Sequence, residues 1–353
     1  MTIAQMPQGI IFALASAALF GASTPLAKAL LGDTHPLVLA GLLYLGSGAG
    51  LCVVLAVRKL LTAGAFHVAM PSRNEWPWLA GAIACGGVLA PVSLMYGLTT
   101  TSASSASLLL NLEGVLTALM AWFVFRENFD RRIAVGMASI VAGGVLLAWA
   151  PGSGGIESGA LLVAAACAFW AIDNNLTRKV AATDAVVVAG LKGLVAGTVS
   201  LACALAFGMT LPPLSAIPAA ALVGFLGYGV SLVLFVVALR HLGTARTGAY
   251  FSIAPFFGAA LAIFLQHDAV TSQLIVAGAL MALGVWLHVS ERHEHEHTHV
   301  TMTHEHPHTH DAHHRHAHAF AWDGSEPHSH PHAHEPIVHR HAHFPDIHHR
   351  HPH

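Results

Sequence analysis

The chain has 353 residues and a formal net charge of −2, and 55% of its residues are hydrophobic whereas only 10% are charged. Soluble domains carry about 25% charged residues, so the composition excludes an ordinary soluble protein and indicates a polytopic membrane protein. The four cysteines lie in apolar runs without paired spacing, which argues against a disulfide framework or a thiolate metal site. The composition changes near residue 290, because 23 of the 28 histidines fall in residues 291–353.

Apolar runs that approach the roughly 20 residues needed to cross a bilayer follow one another along the first 290 residues. They are separated by short polar segments, and no basic region precedes the first run, so we expect the first helix to be retained. The sequence therefore predicts an all-α polytopic membrane protein with ten transmembrane helices. The predicted helices are 9–30, 36–57, 77–98, 104–125, 133–150, 158–177, 185–207, 217–239, 247–266 and 272–289.

The basic residues of the connecting loops lie almost entirely on one side of the predicted helices. The opposite side holds only Lys28, which we interpret either as a substrate gate or as a side chain that reaches the interface. By the positive-inside rule, both termini are predicted to be cytoplasmic. The basic side holds Arg58, Lys59, Arg73, Arg126, Arg131, Arg132, Arg178, Lys179, Arg240, Arg246 and Arg292.

Two segments of the first half are similar to segments about 150 residues later. FGASTPLAK (20–28) aligns with WAIDNNLTR (170–178), and AGLLYLGSG (40–48) with AGLKGLVAG (189–197). Five helices per half is an odd number, so the second half must be inverted in the membrane relative to the first. Inverted repeats place a substrate site near the midplane. We predict repeats at 1–150 and 151–290, followed by a disordered histidine-rich tail at 291–353.

Two motifs resemble a known family. The segments SLLLNLEGVLTALMAWFVFRE (107–127) and YFSIAPFFGAALAIFLQHD (250–268) are similar to the EamA-type branch of the drug/metabolite transporter superfamily, and the resemblance covers about residues 9–289. It implies an inner-membrane transporter of small solutes, commonly an exporter. The chain departs from the family pattern at Glu113-Gly114, where a proline often lies, and at Gln266-His267-Asp268, where a glycine and a glutamate often stand.

Charged side chains at bilayer depth usually face a bundle interior or a watery cavity. Glu113 is the deepest, and we interpret it as a carboxylate that exchanges a proton or binds a cation, or else as a structural carboxylate. Asp173 and Lys192 are expected at similar depth, where they either form a structural ion pair or contact substrate, with Glu113 as a competing partner for Lys192. The predicted substrate or coupling residues are Asn111, Glu113, Thr117, Trp170, Asp173, Asn174 and Lys192.

The tail repeats a His-x-His spacing that lets two or more imidazoles bind one ion in an extended chain. Neutral imidazole binds Zn, Ni and Co, and with an ordinary pKa near 6.5 histidine is mostly neutral at pH 7. The alternative is a low-complexity polar tail without a metal role. The predicted metal ligands are His293, His295, His297, His299, His304, His306, His308, His310, His313, His314, His316 and His318.

Three functions are consistent with these features. The first is an exporter working by alternating access, with divalent Ni, Co or Zn ions captured by the tail as cargo. The second is a proton-coupled exporter of an organic metabolite or amino acid, with the tail buffering or sensing metal, and the third is a metal-responsive sensor without transport. No nucleophile elbow, nucleotide loop or HExxH motif indicates an enzyme. No cofactor is required, and the expected partners are the lipid bilayer, the solute and a second copy of the chain, but no nucleic acid.

Overall fold

The computed structural model describes residues 8–32, 34–61, 70–125, 131–150, 154–180, 184–242, 244–290, 294–298, 302–308, 328–334 and 338–342. Residues 1–290 form one compact unit and residues 291–353 another. Within these described residues, ten helices of the first unit are long and apolar enough to cross a membrane. The predicted all-helical, ten-span architecture is confirmed.

The ten spans are labelled in chain order. They are α1 (Gln8–Leu30), α2 (Pro36–Leu61), α3 (Trp76–Thr100), α4 (Ala103–Met120), α5 (Arg131–Ala148), α6 (Ser158–Thr177), α7 (Ala185–Ala206), α8 (Ala216–Leu239), α9 (Arg246–Gln266) and α10 (Ser272–Val289). A short antiparallel pair, β1 (Trp149–Ala150) and β2 (Gly155–Ile156), connects α5 to α6.

Polar residues at the spans' first turns fix where several helices begin. Side-chain oxygens of Ser102, Asp184 and Thr271 accept hydrogen bonds from backbone N–H groups in the first turns of α4, α7 and α10. Each side chain satisfies a donor that the helix itself leaves without a partner. Proline at the first position of α2 needs no such bond. These caps place the boundaries close to those predicted from the polar segments.

The helices of the two halves are interleaved. Helix α1 packs against α8 and α9, and correspondingly α6 packs against α3 and α4. The remaining equivalent helices pair directly, α2 with α7 and α5 with α10. Each half therefore contributes its first helix to a group formed mainly by the other half, which is the packing that a pseudo-twofold axis between inverted repeats produces.

Equivalent helices of the two halves also share irregularities. Residues Ile83–Leu89 of α3 and Phe225–Val230 of α8 are π-helical. Helix α4 is interrupted at Leu110, between Ala103–Leu109 and Asn111–Phe125, and the α9 region is interrupted between Thr244–Phe251 and Ala254–Gln266. Discontinuous helices at membrane depth leave backbone groups free to bind a substrate or an ion. Turns of π-helix also often occur at functional sites.

Glycines allow the backbones of α2 and α7 to touch. A Cβ atom added at Gly193 would lie 2.6 Å from the backbone nitrogen of Gly48, whereas one added at Gly190 would lie 3.8 Å from its nearest neighbour, the Cβ of Leu51. Close approach through small residues is a common way for membrane helices to associate. Gly190 therefore has room for a methyl group and Gly193 has none.

This contrast gives a paired test of the α2–α7 contact. Gly193→Ala should lower the free energy of unfolding by about 1–3 kcal/mol, the usual cost of overpacking, and Gly190→Ala on the same helix should be close to neutral. Thermal unfolding of both variants in one detergent measures the difference. Equal melting temperatures would show that the backbones separate without cost.

Large apolar side chains cover much of the outer surface of the first unit. Phe123, Phe264 and Ile275 are 72%, 76% and 60% exposed, and Trp76 and Trp149 are exposed at span ends. Such a surface is unfavourable in water but matches the hydrocarbon core, and tryptophan is typical of the membrane interface. The packing and the surface together support a bilayer-embedded protein.

The second unit contains four short strands, β3 (Glu294–Thr298), β4 (Met302–His308), β5 (His328–His334) and β6 (Val338–Ala342). They form two antiparallel pairs, β3 with β6 and β4 with β5. The segment lacks the apolar residues that a core would need, and the rest of residues 291–353 lies outside the described residues.

Candidate functional site

A carboxylate at the interruption of α4 forms the centre of the site. Glu113 lies in the first turn of the helix Asn111–Phe125 and is half-buried. The Nδ2 atom of Asn174 on α6 donates to Glu113 Oε1 at 2.9 Å and lies 3.3 Å from Thr117 Oγ1. Asn174 is exposed, and Glu113 has no cationic partner within the described part of the chain. The carboxylate therefore keeps one oxygen available for a proton or a cation.

An ion pair between a buried aspartate on α6 and a half-buried lysine on α7 lies beside this carboxylate. Asp173 Oδ2 pairs with the Lys192 ammonium, and Thr177 Oγ1 donates to Asp173 Oδ1 at 3.1 Å. Of the two partners considered for Lys192, the structure selects Asp173 rather than Glu113. Both oxygens of Asp173 are already bound to protein groups, which leaves Glu113 as the more accessible acid.

Gly86, in the π-helical part of α3, connects three helices at the site. Its carbonyl oxygen accepts hydrogen bonds from Tyr44 Oη at 2.7 Å and from Trp170 Nε1 at 3.1 Å. A Cβ atom at this position would lie 1.9 Å from Asp173 Oδ2. Gly86 therefore accepts two hydrogen bonds through its backbone carbonyl, and its lack of a side chain leaves room for the Asp173 carboxylate.

The sequence analysis did not identify Gly86, Tyr44 or Thr177 as residues of the site. Thr177 follows Asp173 by four residues, a spacing at which helical side chains meet, so this contact was detectable from the sequence. The roles of Gly86 and Tyr44 depend on the approach of separate helices, which no local pattern indicates.

Most predicted membrane-site residues come together, with one exception. Glu113, Thr117 and Asn174 are in contact, and Asp173, Lys192 and Trp170 lie around Gly86 beside them. Asn111 is turned away, because its Nδ2 donates to the Leu108 carbonyl at 2.8 Å and contacts Met281 Sδ of α10 at 3.8 Å. Side chains two residues apart on a helix do not face each other, which explains the separation of Asn111 from Glu113.

Polar contacts join four helices at the Leu30 end of α1. Lys28 Nζ donates to the carbonyls of Leu98 and Thr101 at the end of α3, the second at 3.1 Å. Gln266 Nε2 donates to the Pro25 carbonyl at 2.5 Å, and the Ser104 backbone nitrogen donates to Asp268 Oδ2 at 2.8 Å. Lys28 therefore binds a neighbouring helix instead of extending to the interface, and this end of the bundle is closed by hydrogen bonds.

The metal hypothesis concerns two parts of the chain. Of the side chains that the structure describes, all within residues 8–290, no group of three or more His, Cys, Asp or Glu is placed to hold a metal ion. In the tail, His295, His297, His304, His306 and His308 lie in strands. The other predicted ligands lie outside the described residues, namely His293, His299, His310, His313, His314, His316 and His318.

The fold and the site define a multi-pass membrane transporter, and comparison with known proteins gives the family. The chain belongs to the EamA-like transporter family, whose model matches residues 7–149 and again residues 157–290. It is a family of membrane transporters rather than of enzymes. A solved crystal structure has the same fold, with a TM-score of 0.59 and 22% identity over 80% of this chain and 96% of its own.

Three curated relatives show the range of the family. An uncharacterized transporter of Methanothermobacter thermautotrophicus is 28% identical over 79% of this chain and 85% of its own length. A probable terminal-alkyne amino-acid exporter of Streptantibioticus cattleyicolor is 25% identical over 66% of this chain and 80% of its own. A probable 4-amino-4-deoxy-L-arabinose-phosphoundecaprenol flippase subunit ArnE of Pseudomonas paraeruginosa is 40% identical over 31% of this chain and 93% of its own.

Proposed function

We propose that this protein exports a small organic solute that carries a protonated amine, by exchange with protons at Glu113. The observation that carries the proposal is the half-buried Glu113 carboxylate, which Asn174 holds by one oxygen and which lacks a cationic partner within the described residues. A carboxylate at bilayer depth requires compensation by a proton or a cation. It can alternate between the two as the site opens to each side, and no cofactor takes part.

The geometry supports an organic cation over a metal ion as cargo. A divalent transition metal bound by protein alone needs several ligands at about 2 Å, and the described side chains of the membrane unit offer no such group. An ammonium needs one carboxylate and a few neutral acceptors, which Glu113 and Thr117 supply. The names of two relatives also contain amino-bearing solutes, an amino acid and an amino sugar.

The interleaved helices suggest how the site alternates. Glu113 belongs to α4 and Asn174 to α6, helices that pack together with α3, whereas α1 packs with α8 and α9 on the other side. Rocking of one group against the other exposes a midplane site to each face in turn. The contacts of Lys28, Gln266 and Asp268 close the end that we assign to the extracytoplasmic face of a bacterial inner membrane, with both termini in the cytoplasm.

We propose a separate role for the tail, the binding of Zn, Ni or Co ions on the cytoplasmic side. The observation behind this role is the density of histidine, 23 in 63 residues, at a pH where most imidazoles are neutral ligands. In this proposal the tail senses or buffers metal ions, and the metal is not the transported solute. A homodimer would bring two tails together.

Flux measurements in sealed proteoliposomes test both roles. Full-length protein and a variant ending at Ser290 should move amino-bearing solutes, from a panel of amino acids and amines, when a pH gradient is imposed. Neither should move labelled nickel, cobalt or zinc. Metal flux that disappears on tail deletion would instead support metal as cargo, and absence of any flux would favour a sensor without transport.

A further inference from the structure

The two halves of the membrane unit each pack a π-helical glycine against a first helix in the same way. A Cβ atom added at Gly86 of α3 would lie 2.6 Å from the Cβ of Asp173 on α6. One added at Gly227 of α8 would lie 2.6 Å from the Cβ of Ser23 on α1. Ser23 and Asp173 are aligned in the similar segments FGASTPLAK and WAIDNNLTR, so the two contacts are equivalent.

The equivalent positions differ in charge. Ser23 stands in the place of Asp173, and Leu43 is aligned with Lys192, the cation of the ion pair. The Ser23 hydroxyl donates to the Phe20 carbonyl at 2.6 Å, so its hydrogen bond is made within its own helix. The place that corresponds to the ion pair in the other half is therefore neutral.

Aromatic rings surround this neutral place. The ring centroid of Tyr228, which follows Gly227, lies 5.4 Å from that of Tyr44 and 6.2 Å from that of Phe20. The Phe20 centroid lies 5.4 Å from that of Phe251, at the interruption of α9. These distances are typical of favourable aromatic pairs. The four rings, here called the aromatic row, connect α1, α2, α8 and α9.

The aromatic row begins beside the charged residues. Tyr44 Oη and Trp170 Nε1 donate to the same carbonyl, that of Gly86, against which Asp173 lies. Tyr44 is buried, whereas Tyr228 and the two rings beyond it are half-buried. Part of their surface is therefore not covered by the protein, and a solute bound at the charged residues can place an apolar group against it.

We propose that the exported amine carries an aromatic group, which packs on the aromatic row while the ammonium is bound at Glu113. This inference rests on the proposed amine export and adds the chemical class of the solute's other end. Aromatic pairs gain free energy beyond the burial of their apolar area. A solute bound in this way contacts both groups of helices, because Glu113 lies on α4 and three of the four rings lie on α1, α8 and α9.

Two amines that differ by one ring test the proposal. 2-Phenylethylamine and ethylamine present the same ammonium, and calorimetry on the purified full-length protein measures both affinities at a pH where both amines are protonated. We expect 2-phenylethylamine to bind about 10- to 100-fold more tightly, the effect of burying one phenylalanine-sized side chain. Tyr228→Ala should reduce this preference about 3- to 10-fold and leave the affinity for ethylamine unchanged.

Three further variants separate the loss of a ring in the row from general damage. Tyr228→Phe retains the ring and should retain the preference. Phe264→Ala removes a ring that is 76% exposed on α9 and should leave both affinities unchanged. Phe20→Leu removes a second ring of the row with little change in volume and should reduce the preference like Tyr228→Ala, so the result does not depend on the folding of one variant.

Glu113→Gln distinguishes failure of this inference from failure of the proposed function. It should weaken the binding of both amines by the same factor, because both present the same ammonium. Equal affinities of the unmodified protein for the two amines, both lowered in Glu113→Gln, would overturn the aromatic site alone. Affinities that Glu113→Gln leaves unchanged, or no binding of either amine, would overturn amine recognition at Glu113 and this inference with it.

Discussion

Glu113→Gln is expected to reduce proton-driven export by about 100-fold, equivalent to about 2.8 kcal/mol at a tenfold change for each 1.4 kcal/mol. Glutamine has nearly the same shape, and its carbonyl oxygen can still accept from Asn174 Nδ2, which donates to Glu113 Oε1 at 2.9 Å. The fold should therefore be retained while the charge is lost. Initial rates in proteoliposomes with an imposed pH gradient measure the effect.

A matched control removes a carboxylate outside the spans. Glu75 accepts a hydrogen bond from the Ser72 backbone nitrogen at 2.6 Å before α3 begins, so Glu75→Gln should transport at the rate of the unmodified protein. Solute counterflow without a pH gradient separates two roles of Glu113. Loss of both export and counterflow would indicate that the carboxylate binds the amine, and loss of export alone that it carries only the proton. Unchanged export in Glu113→Gln would refute the proposed mechanism.

The sequence was sufficient to predict the ten spans, because each buries its backbone hydrogen bonds internally and must be apolar over a bilayer's thickness. It was also sufficient to locate Glu113 and the Asp173–Lys192 pair, because charges at that depth are rare and need partners. These inferences depend on the cost of polar groups in hydrocarbon, which can be evaluated one residue at a time.

Several features that the sequence did not predict depend on the approach of separate segments. Gly86 is defined by Tyr44, Trp170 and Asp173 from two other helices, and its π-helical turn is not visible in the apolar pattern of α3. The interruption at Leu110 was also absent from the predicted continuous helix 104–125, since no proline or charge marks that position.

The Asp173–Lys192 pair provides the second large effect. Asp173→Asn leaves the Lys192 ammonium without its acid, and Lys192→Met leaves the Asp173 carboxylate without its cation. Loss of one partner of a buried pair typically costs about 3–5 kcal/mol, so each variant should unfold at markedly lower temperature in detergent. The combined variant, Asp173→Asn with Lys192→Met, should recover most of the stability because no charge is left uncompensated.

Asp184→Asn serves as the control for that series. Asp184 caps α7 through the Val186 backbone nitrogen at 2.8 Å, and asparagine is an equally good cap, so removal of this charge should leave the melting temperature nearly unchanged. A comparable loss in this control would mean that any change of charge near α7 destabilises the protein.

Transport by the combined variant distinguishes an ion pair that positions helices from one that contacts the solute. Lys192 and Thr177 bind the two oxygens of Asp173. Because Gly86 has no side chain, the Asp173 carboxylate can lie against its backbone. An acid held in this way is positioned by protein groups rather than directed at a solute, so the neutral pair should export at a rate within a few fold of the unmodified protein. A stable combined variant without export would instead place Asp173 or Lys192 in contact with the solute, and would make Glu113 one of two charged groups that select it.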